Sequence, residues 1–165
     1  VLEHVPDLHQ MNSEIRRVLK PDGYCIHIMP THSWRFWTTV SAFPDAFLHA
    51  ATLKSKLIPR CQANSLSEML RGWWGVAKHL SRPFRQSRHG ERGNLFSEIW
   101  LFHPMWWRKA FKIDEFEIVR DFPMGHFYTG NMLLGSRMSM GSRAKLAKVL
   151  GSACHLFQVR PIARP

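Results

Sequence analysis

The amino-acid sequence predicts an α/β fold, and three observations support this prediction. The chain has 165 residues, of which 45% are hydrophobic, and this suffices for one domain with a core of ordinary size. A helical pattern over residues 7–20 is followed at once by a short apolar run over residues 24–29. Two further runs with the composition of strands lie at residues 116–122 and 155–159. Helices that alternate with short apolar strands are typical of the α/β class.

The chain is expected to begin at the end of a strand, inside a longer domain, because the apolar residues Val1 and Leu2 precede a break at Pro6-Asp7. Asp7 and Gln10 have the spacing of a capping box, which predicts that a helix begins here. The apolar positions that follow have helical spacing: Leu8, Met11, Ile15, Val18 and Leu19.

A Pro-Asp-Gly turn at residues 21–23 ends this helix. The next six residues, 24–29, are nearly all apolar, a pattern typical of a strand buried on both faces of a parallel sheet. The first thirty residues therefore predict the last two thirds of a strand–helix–strand unit.

Residues 35–94 are predicted to form an aromatic and basic helical insertion. After an irregular stretch over 31–47, one helix is expected over 45–57, and a second over 66–80 follows a Ser-x-x-Glu capping box that starts at Ser65. From Lys54 to Arg92 there are nine Lys and Arg residues against two Glu, within a chain of net charge +11. Such a balance favours anionic partners, which include phosphates, nucleic acid and lipid surfaces.

The rest of the chain is predicted to close the sheet with alternating short elements. Pro104 has the first helical position of one of them, where its missing N–H costs nothing. The predicted elements are a strand at 97–102, a helix at 104–114, a strand at 116–122, a basic helix at 142–150 and a strand at 155–159.

Composition argues against several classes of protein. Three cysteines at wide spacing do not form a disulfide framework, which favours a reducing cytoplasm, and no apolar run reaches the roughly 18 residues that a membrane span needs. The histidine pairs His4/His9 and His27/His32 are five residues apart and match no common ligand spacing. The sequence therefore predicts no metal site.

The stretches VLEHVPDL, EIRRVLKPDGYCIHIMP and LFHPMWWRKAFKIDEFEIV resemble the second half of a class I S-adenosylmethionine-dependent methyltransferase of the type 11 group. The resemblance covers residues 1–34 and 95–122. It implies a Rossmann-like fold that lacks its N-terminal strands. Residues 1–34 would be the end of the fourth strand, a helix and the fifth strand, residues 35–94 an insertion or cap, and residues 95–165 the closing strands and helices.

The resemblance also implies that the cofactor is S-adenosyl-L-methionine and that Val1 and Leu2 line its site. In the family, the glycine-rich loop that holds this cofactor lies N-terminal to the part represented here. The loop at residues 89–94, HGERGN, does not replace it, because it neither follows a clear strand nor opens a clear helix. The isolated chain is therefore expected to be inactive.

Candidate catalytic residues follow from the same resemblance, which puts Glu3 and His4 at the mouth of the fourth strand and His32 just beyond the fifth. A histidine is a suitable general base because its ordinary pKa lies near neutral pH. Glu3 and His4 have the alternative role of capping the next helix. Candidate substrate-binding residues are Trp34, His89, Glu91, Glu98 and His103, for which a place in the core, in a solvated loop or at a helix cap is the alternative.

The substrate is expected to be a small molecule or a lipid- or glycan-linked one, because an aromatic and basic insertion suits a bulky anionic acceptor. The helix over 66–80 either packs over the sheet or lies on an anionic membrane, with Arg71 and Lys78 off its apolar face. A cytoplasmic protein, free or at the inner face of the membrane, is predicted. The competing hypothesis is a basic module without enzymatic activity that binds an anionic membrane or nucleic acid.

Overall fold

The computed structural model describes residues 1–57, 66–130 and 137–162 and has a mixed α/β fold. The strands are β1 (Cys25–Pro30), β2 (Phe116–Pro123) and β3 (Cys154–Pro161). The α-helices are α1 (Leu8–Val18), α2 (His32–Leu57), α3 (Leu66–Leu80), α4 (Ser97–Leu101), α5 (Pro104–Ile113) and α6 (Met140–Leu150). The predicted α/β class is confirmed, and the arrangement is compatible with a partial Rossmann-like methyltransferase fold.

The three strands form one sheet in the order β1-β3-β2. β3 is antiparallel to both neighbours, with Cys25 opposite Val159 on one side and Phe116 opposite Pro161 on the other. β1 and β2 consequently run in the same direction, and the chain passes between them through the helical insertion. A bulge at Val119, between Ile118 and Arg120, interrupts the register of β2 with β3.

The core lies between one face of this sheet and the helices α1 and α5. His27 of β1 stacks on Phe111 of α5 with ring centroids 5.3 Å apart. Phe111, Phe157 and Val159 are fully buried. The other members of this apolar cluster are Leu2, Leu8, Met29, Trp107, Ala110 and Phe116.

The prediction that β1 is buried on both faces is wrong. Its burial alternates, and Ile26 and Ile28 are each 52% exposed while Met29 is buried. Among the described residues β1 pairs only with β3, in antiparallel fashion, and no helix covers the face that carries the two isoleucines. The apolar run therefore predicted a strand correctly, but it did not predict which faces of that strand are covered.

Three other predicted elements differ from the structure. Residues 2–4 form a 3₁₀ turn rather than the end of a strand. The segment 31–47 is helical, because Thr31 accepts the backbone N–H of Trp34 through its hydroxyl and starts α2 directly after β1. Residues 97–101 form α4 instead of a strand, since the side chain of Asn94 accepts two backbone N–H groups at the start of that turn.

The remaining predicted elements are confirmed. Asp7 caps α1 by accepting the backbone N–H of Gln10 at 2.9 Å, and His103 caps α5 ahead of Pro104. α3, β2, α6 and β3 lie where the sequence predicted them. The capping box that starts at Ser65 lies outside the described residues.

α3 packs on α2 and leaves its predicted apolar stripe in solvent. Gly75, Val76 and His79 on the face toward α2 are half-buried, and His79 stacks on His49 of α2. The stripe itself is exposed: its members Leu66, Met69, Leu70 and Trp73 are 44 to 69% accessible, and the adjacent Trp74 is 73% accessible. Within the described ranges, none of the helices has both the length and the apolar composition of a membrane span.

Candidate active site

Four segments meet near the carboxyl end of β1: the first turn of the chain, the start of α2, the loop over residues 87–94 and the junction of α4 and α5. The backbone N–H of Glu91 donates to the carbonyl of Glu3 at 2.9 Å, which ties the loop to the first turn. Gly90 lies so close that a Cβ atom there would be 2.8 Å from the same carbonyl oxygen. This close approach brings residues from positions 3–4 and 89 together.

A buried ion pair holds the loop in place. Arg35 is 4% exposed and Glu98 is fully buried, and the Arg35 Nε and Glu98 Oε2 atoms are 2.9 Å apart. The other carboxylate oxygen of Glu98 accepts the backbone N–H groups of His89 and Gly90 at 2.5 and 2.6 Å. Arg35 also donates to the carbonyl of Ser87 at 2.9 Å. Burial lowers the pKa of the Arg35 guanidinium, and the charge of Glu98 partly restores it.

Glu98 was predicted to contact substrate, and the structure gives it a different place. Its carboxylate lies beneath the loop and is engaged on both oxygens, so an acceptor molecule does not reach it. It positions His89 instead. Sequence reasoning missed Arg35, its partner, because an arginine within an aromatic stretch has no signal that separates a buried ion pair from a solvated charge.

His4, His89 and Trp34 form a cluster on the outer side of this frame. The ring centroids of His4 and His89 are 4.9 Å apart, and those of His89 and Trp34 are 4.7 Å apart. Burial is the main cause that lowers the pKa of His89, and the neighbouring His4 adds to it. The His89 imidazole is therefore neutral at neutral pH and has a nitrogen lone pair available for a proton or a metal ion.

Glu3 lies next to the cluster and is mostly buried. One of its oxygens is 3.6 Å from Nε2 of His4. Burial raises the pKa of Glu3, and a backbone hydrogen bond lowers it. Because the ordinary pKa of a glutamic acid lies well below neutral pH, Glu3 is taken as a carboxylate.

Glu3, His4 and His89 can also be considered as metal ligands. Each offers one ligand atom, and the three atoms all lie within 4.8 Å of one another. The prediction of no metal site rested on histidines near each other in sequence, whereas this set joins two adjacent residues to one that is 85 positions further on. One carboxylate and two imidazoles are a donor set that suits a first-row transition metal.

His32 and His103 form a second pair at the same end of the sheet, with ring centroids 4.5 Å apart. Burial lowers the pKa of His32, and His103 adds to the effect. His103 accepts the backbone N–H of Met105 at 3.2 Å, so it has the helix-capping role that the sequence left open, and it stacks on Trp100. Glu91, another predicted contact, is solvent-exposed and paired with Arg88.

The described residues do not by themselves form a site for S-adenosylmethionine. Leu2, predicted to line it, is 2% exposed and packs in the core, while Val1 is 81% exposed. The N–H groups of His89 and Gly90 are taken up by Glu98, and the loop leads into a helix of only five residues. The loop over residues 87–94 therefore offers no free backbone cradle for the cofactor.

A cavity of about 500 Å³ opens beside the His89 and Trp34 side chains. Its wall is basic, and the sequence indicated three of its four arginines only as members of the basic stretch between Lys54 and Arg92. The arginines that line it are Arg35, Arg82, Arg85 and Arg88. The excess of basic residues in the insertion was the available signal, but it did not show that several of them face one cavity.

Comparison of the chain with protein-family models gives one match. Residues 1–27 match the family model of a methyltransferase domain, which supports a class I S-adenosylmethionine-dependent methyltransferase domain. The matched segment contains Glu3, His4, α1 and the start of β1. No curated protein and no solved structure gives a significant match to the chain.

Proposed function

We propose that this chain belongs to an S-adenosylmethionine-dependent methyltransferase, in which residues 1–165 provide the acceptor side of the active site. The observation that carries the proposal is the methyltransferase-domain match over residues 1–27, which ends in β1 and includes His4. His89 lies next to that histidine, and Trp34 lies next to His89. Because the described residues form no donor cradle, the proposal assigns them to the acceptor and to its proton. The acceptor class is a small molecule or a lipid- or glycan-linked one.

The chemistry of the cluster follows from its charges. An acceptor hydroxyl or amine must lose a proton as it is methylated, and a neutral imidazole at hydrogen-bond distance can take that proton. Burial lowers the pKa of His89, so its imidazole is neutral at neutral pH. The Glu3 carboxylate lies 3.6 Å from Nε2 of His4 and stabilises that imidazole if it carries the proton. The indole of Trp34 offers an apolar face on which the acceptor can stack and be oriented.

The test is a transfer assay with S-adenosylmethionine that carries a labelled methyl group, using the polypeptide expressed from its own gene and a lipid and glycan extract of its source cells as acceptor. Label incorporation is expected in the wild type. Loss of the general base, by His4→Ala or His89→Ala, is expected to lower the rate by about 100-fold or more. His9→Ala, on the exposed side of α1, is the matched control and should retain the rate.

Residues 1–165 alone are expected to transfer no label, because the loop over residues 87–94 has no free backbone cradle for the donor. Absence of label incorporation by the polypeptide from its own gene contradicts the proposal. So does an unchanged rate in both His4→Ala and His89→Ala, which would separate the cluster from the reaction even if transfer occurs.

We propose, as a second function, that the α2–α3 pair docks on an anionic membrane surface. The specific observation is the exposed stripe on α3, in which Leu70 and Trp74 are 57% and 73% accessible, together with Phe84 at 79% just beyond it. Large exposed apolar patches rimmed by basic groups mark interaction surfaces, and each basic residue near an anionic bilayer contributes about 1 kcal/mol. Arg71 and Lys78 on the same helix are such groups.

Vesicle sedimentation tests this docking. The protein is expected to bind phosphatidylglycerol/phosphatidylcholine vesicles and to bind pure phosphatidylcholine much less. Leu70→Ser/Trp74→Ser should abolish binding, whereas Val149→Ser, which removes an 82% exposed apolar side chain from α6, should not. Equal binding to both vesicle types, or tighter binding to double-stranded DNA than to the anionic vesicles, contradicts a membrane role.

A further inference from the structure

The cavity beside His89 has an unbalanced positive charge. Arg35 is neutralised by Glu98, and Arg88 lies 3.4 Å from the carboxylate of Glu91. Arg82 and Arg85 have no ion-pair partner among the described residues. One acidic side chain, Asp45, also lines the cavity, and its carboxylate lies 3.5 Å from a ring nitrogen of His49. With Arg35 and Arg88 paired, the Arg82 and Arg85 guanidinium groups outnumber the single Asp45 carboxylate, and the lining keeps a net positive charge.

The segment that carries these arginines is fixed on α2. Gln86 donates to the carbonyl of Thr39 at 3.2 Å and to that of Pro83 at 3.1 Å. Arg35 holds the carbonyl of Ser87 from the other end. The backbone that carries Arg85 is therefore held against α2, while the Arg82 and Arg85 side chains are exposed to solvent and accessible to a ligand. A fixed backbone lowers part of the entropy cost of ligand binding.

The size and the lining of the cavity define its ligand class. A volume of about 500 Å³ lies within the range of roughly 300–1,000 Å³ that is typical of small-molecule pockets. A guanidinium group forms two parallel hydrogen bonds to one phosphoryl group, so Arg82 and Arg85 together match two phosphoryl groups. Trp34 lines the same cavity and also contacts His89, which links this wall to the histidine cluster.

We propose that the cavity binds the diphosphate group of the acceptor, with Arg82 and Arg85 as its principal ligands and Trp34 between it and the reacting end. This identification of the substrate class rests on the proposed function. The shared chemistry is a diphosphate, which a soluble nucleoside diphosphate derivative and a lipid-linked diphosphate both carry. His89 then faces the part of the acceptor that is methylated, while the arginines hold the part that is not.

The first experiment measures the binding of inorganic pyrophosphate to the protein by calorimetry, without any methyl donor. Arg82→Gln/Arg85→Gln is expected to weaken binding by about 100-fold or more, because two charge-assisted contacts to phosphoryl groups are lost. Lys145→Gln/Lys148→Gln is the matched control, because it also removes two positive charges, from exposed positions of α6 that do not line the cavity. It should change the affinity by less than about twofold.

Two further measurements keep the outcome interpretable. Arg82→Lys/Arg85→Lys keeps the charge but removes the forked geometry, and an affinity between that of the wild type and that of the glutamine variant is expected. Circular dichroism of each variant shows whether it is folded. An equal loss of affinity in Lys145→Gln/Lys148→Gln and in Arg82→Gln/Arg85→Gln overturns the proposal, as does the absence of pyrophosphate binding by the folded wild type.

The source of the diphosphate is distinguished by two arms, uridine diphosphate in solution and a polyprenyl diphosphate in phosphatidylcholine vesicles. Binding in either arm that depends on Arg82 and Arg85 supports the site and identifies the source. Wild-type affinity of the Arg82→Gln/Arg85→Gln variant in both arms contradicts it. Because none of these measurements requires methyl transfer, pyrophosphate binding without label transfer would refute the proposed function and leave this site standing.

Discussion

Removal of the buried carboxylate at position 98 is expected to be the most damaging single change near the site. Glu98→Leu leaves the cation of Arg35 buried without a partner, and the breaking of a buried ion pair costs about 3–5 kcal/mol. The same change removes the acceptor of the backbone N–H groups of His89 and Gly90, at about 1–3 kcal/mol for each one that stays unsatisfied. Since domains have only about 5–15 kcal/mol of stability, this is a large share of the total.

The partner variant gives the prediction its direction. Arg35→Met leaves Glu98 buried and charged but still bonded to the loop, so it is expected to cost about 3–5 kcal/mol and less than Glu98→Leu. The double variant Arg35→Met/Glu98→Leu removes both charges and leaves the N–H groups of His89 and Gly90 and the carbonyl of Ser87 without their side-chain partners. It should therefore be more stable than Glu98→Leu alone, an inversion that only a buried and coupled pair produces.

Urea unfolding followed by circular dichroism measures these differences, and the slopes show whether the variants unfold in the same way. The reasoning is refuted if Glu98→Leu costs less than about 1 kcal/mol, or if the double variant is less stable than Glu98→Leu. Because Glu98 positions His89, the methyl-transfer rate of any folded Glu98→Gln protein should also fall, while that of a folded Glu117→Gln protein, altered at an exposed carboxylate on β2, should not.

Three more expectations follow from single side chains. Burial lowers the pKa of His27 to about 4, so on acidification the unfolded chain takes up a proton before the folded chain does. The free energy of unfolding therefore falls between pH 6.5 and 4, by up to about 3 kcal/mol at 1.36 kcal/mol per pKa unit. His27→Leu should flatten this part of a stability–pH curve. The hydrogen bond to Asp114 raises the pKa of the exposed His9. The pair therefore stabilises the fold fully below pH 6.5, and this stabilisation is lost as the pH rises through the folded-state pKa of His9. A melting temperature that depends equally on pH in His9→Ala would show that the pair contributes nothing. Gly90→Ala should destabilise the chain by about 1–3 kcal/mol because its Cβ would meet a backbone oxygen at 2.8 Å, whereas Gly72→Ala, with open space in α3, should stabilise it by about 0.5–1 kcal/mol in the same urea assay.

Local signals predicted most of the regular elements. Asp7 and His103 are caps whose role can be inferred from the residues that follow them, and both caps form as expected. α2 was predicted to start at position 45 because its aromatic first half has no simple apolar stripe. Thr31 after a strand-ending proline was the signal that could have found it, since the threonine hydroxyl caps the helix.

The surroundings of these elements were harder to predict, because they depend on residues distant in the sequence. The apolar run of β1 indicated a strand, but whether Ile26 is covered depends on which elements pack beside it. The candidate site was predicted in part: His4, His89 and Trp34 were each singled out, and the structure brings them together. Arg35 and its ion pair with Glu98 were not predicted, because the residues around Arg35 in the sequence do not show that Glu98 lies beside it in the fold.

The position of β3 in the chain has a consequence for the order of folding. β3 is the central strand of the sheet, yet it is the last of the three to be synthesised, and it contributes the fully buried Phe157 and Val159 to the core. Until it has left the ribosome, β1 and β2 lack their shared partner, so the contacts that close the core join residues more than 130 positions apart, as between Cys25 and Val159. Such non-local pairing forms slowly, and the strand edges of β1 and β2 stay exposed until it forms. A nascent chain that stalls anywhere before residue 154 is therefore a substrate for chaperones rather than a smaller folded domain.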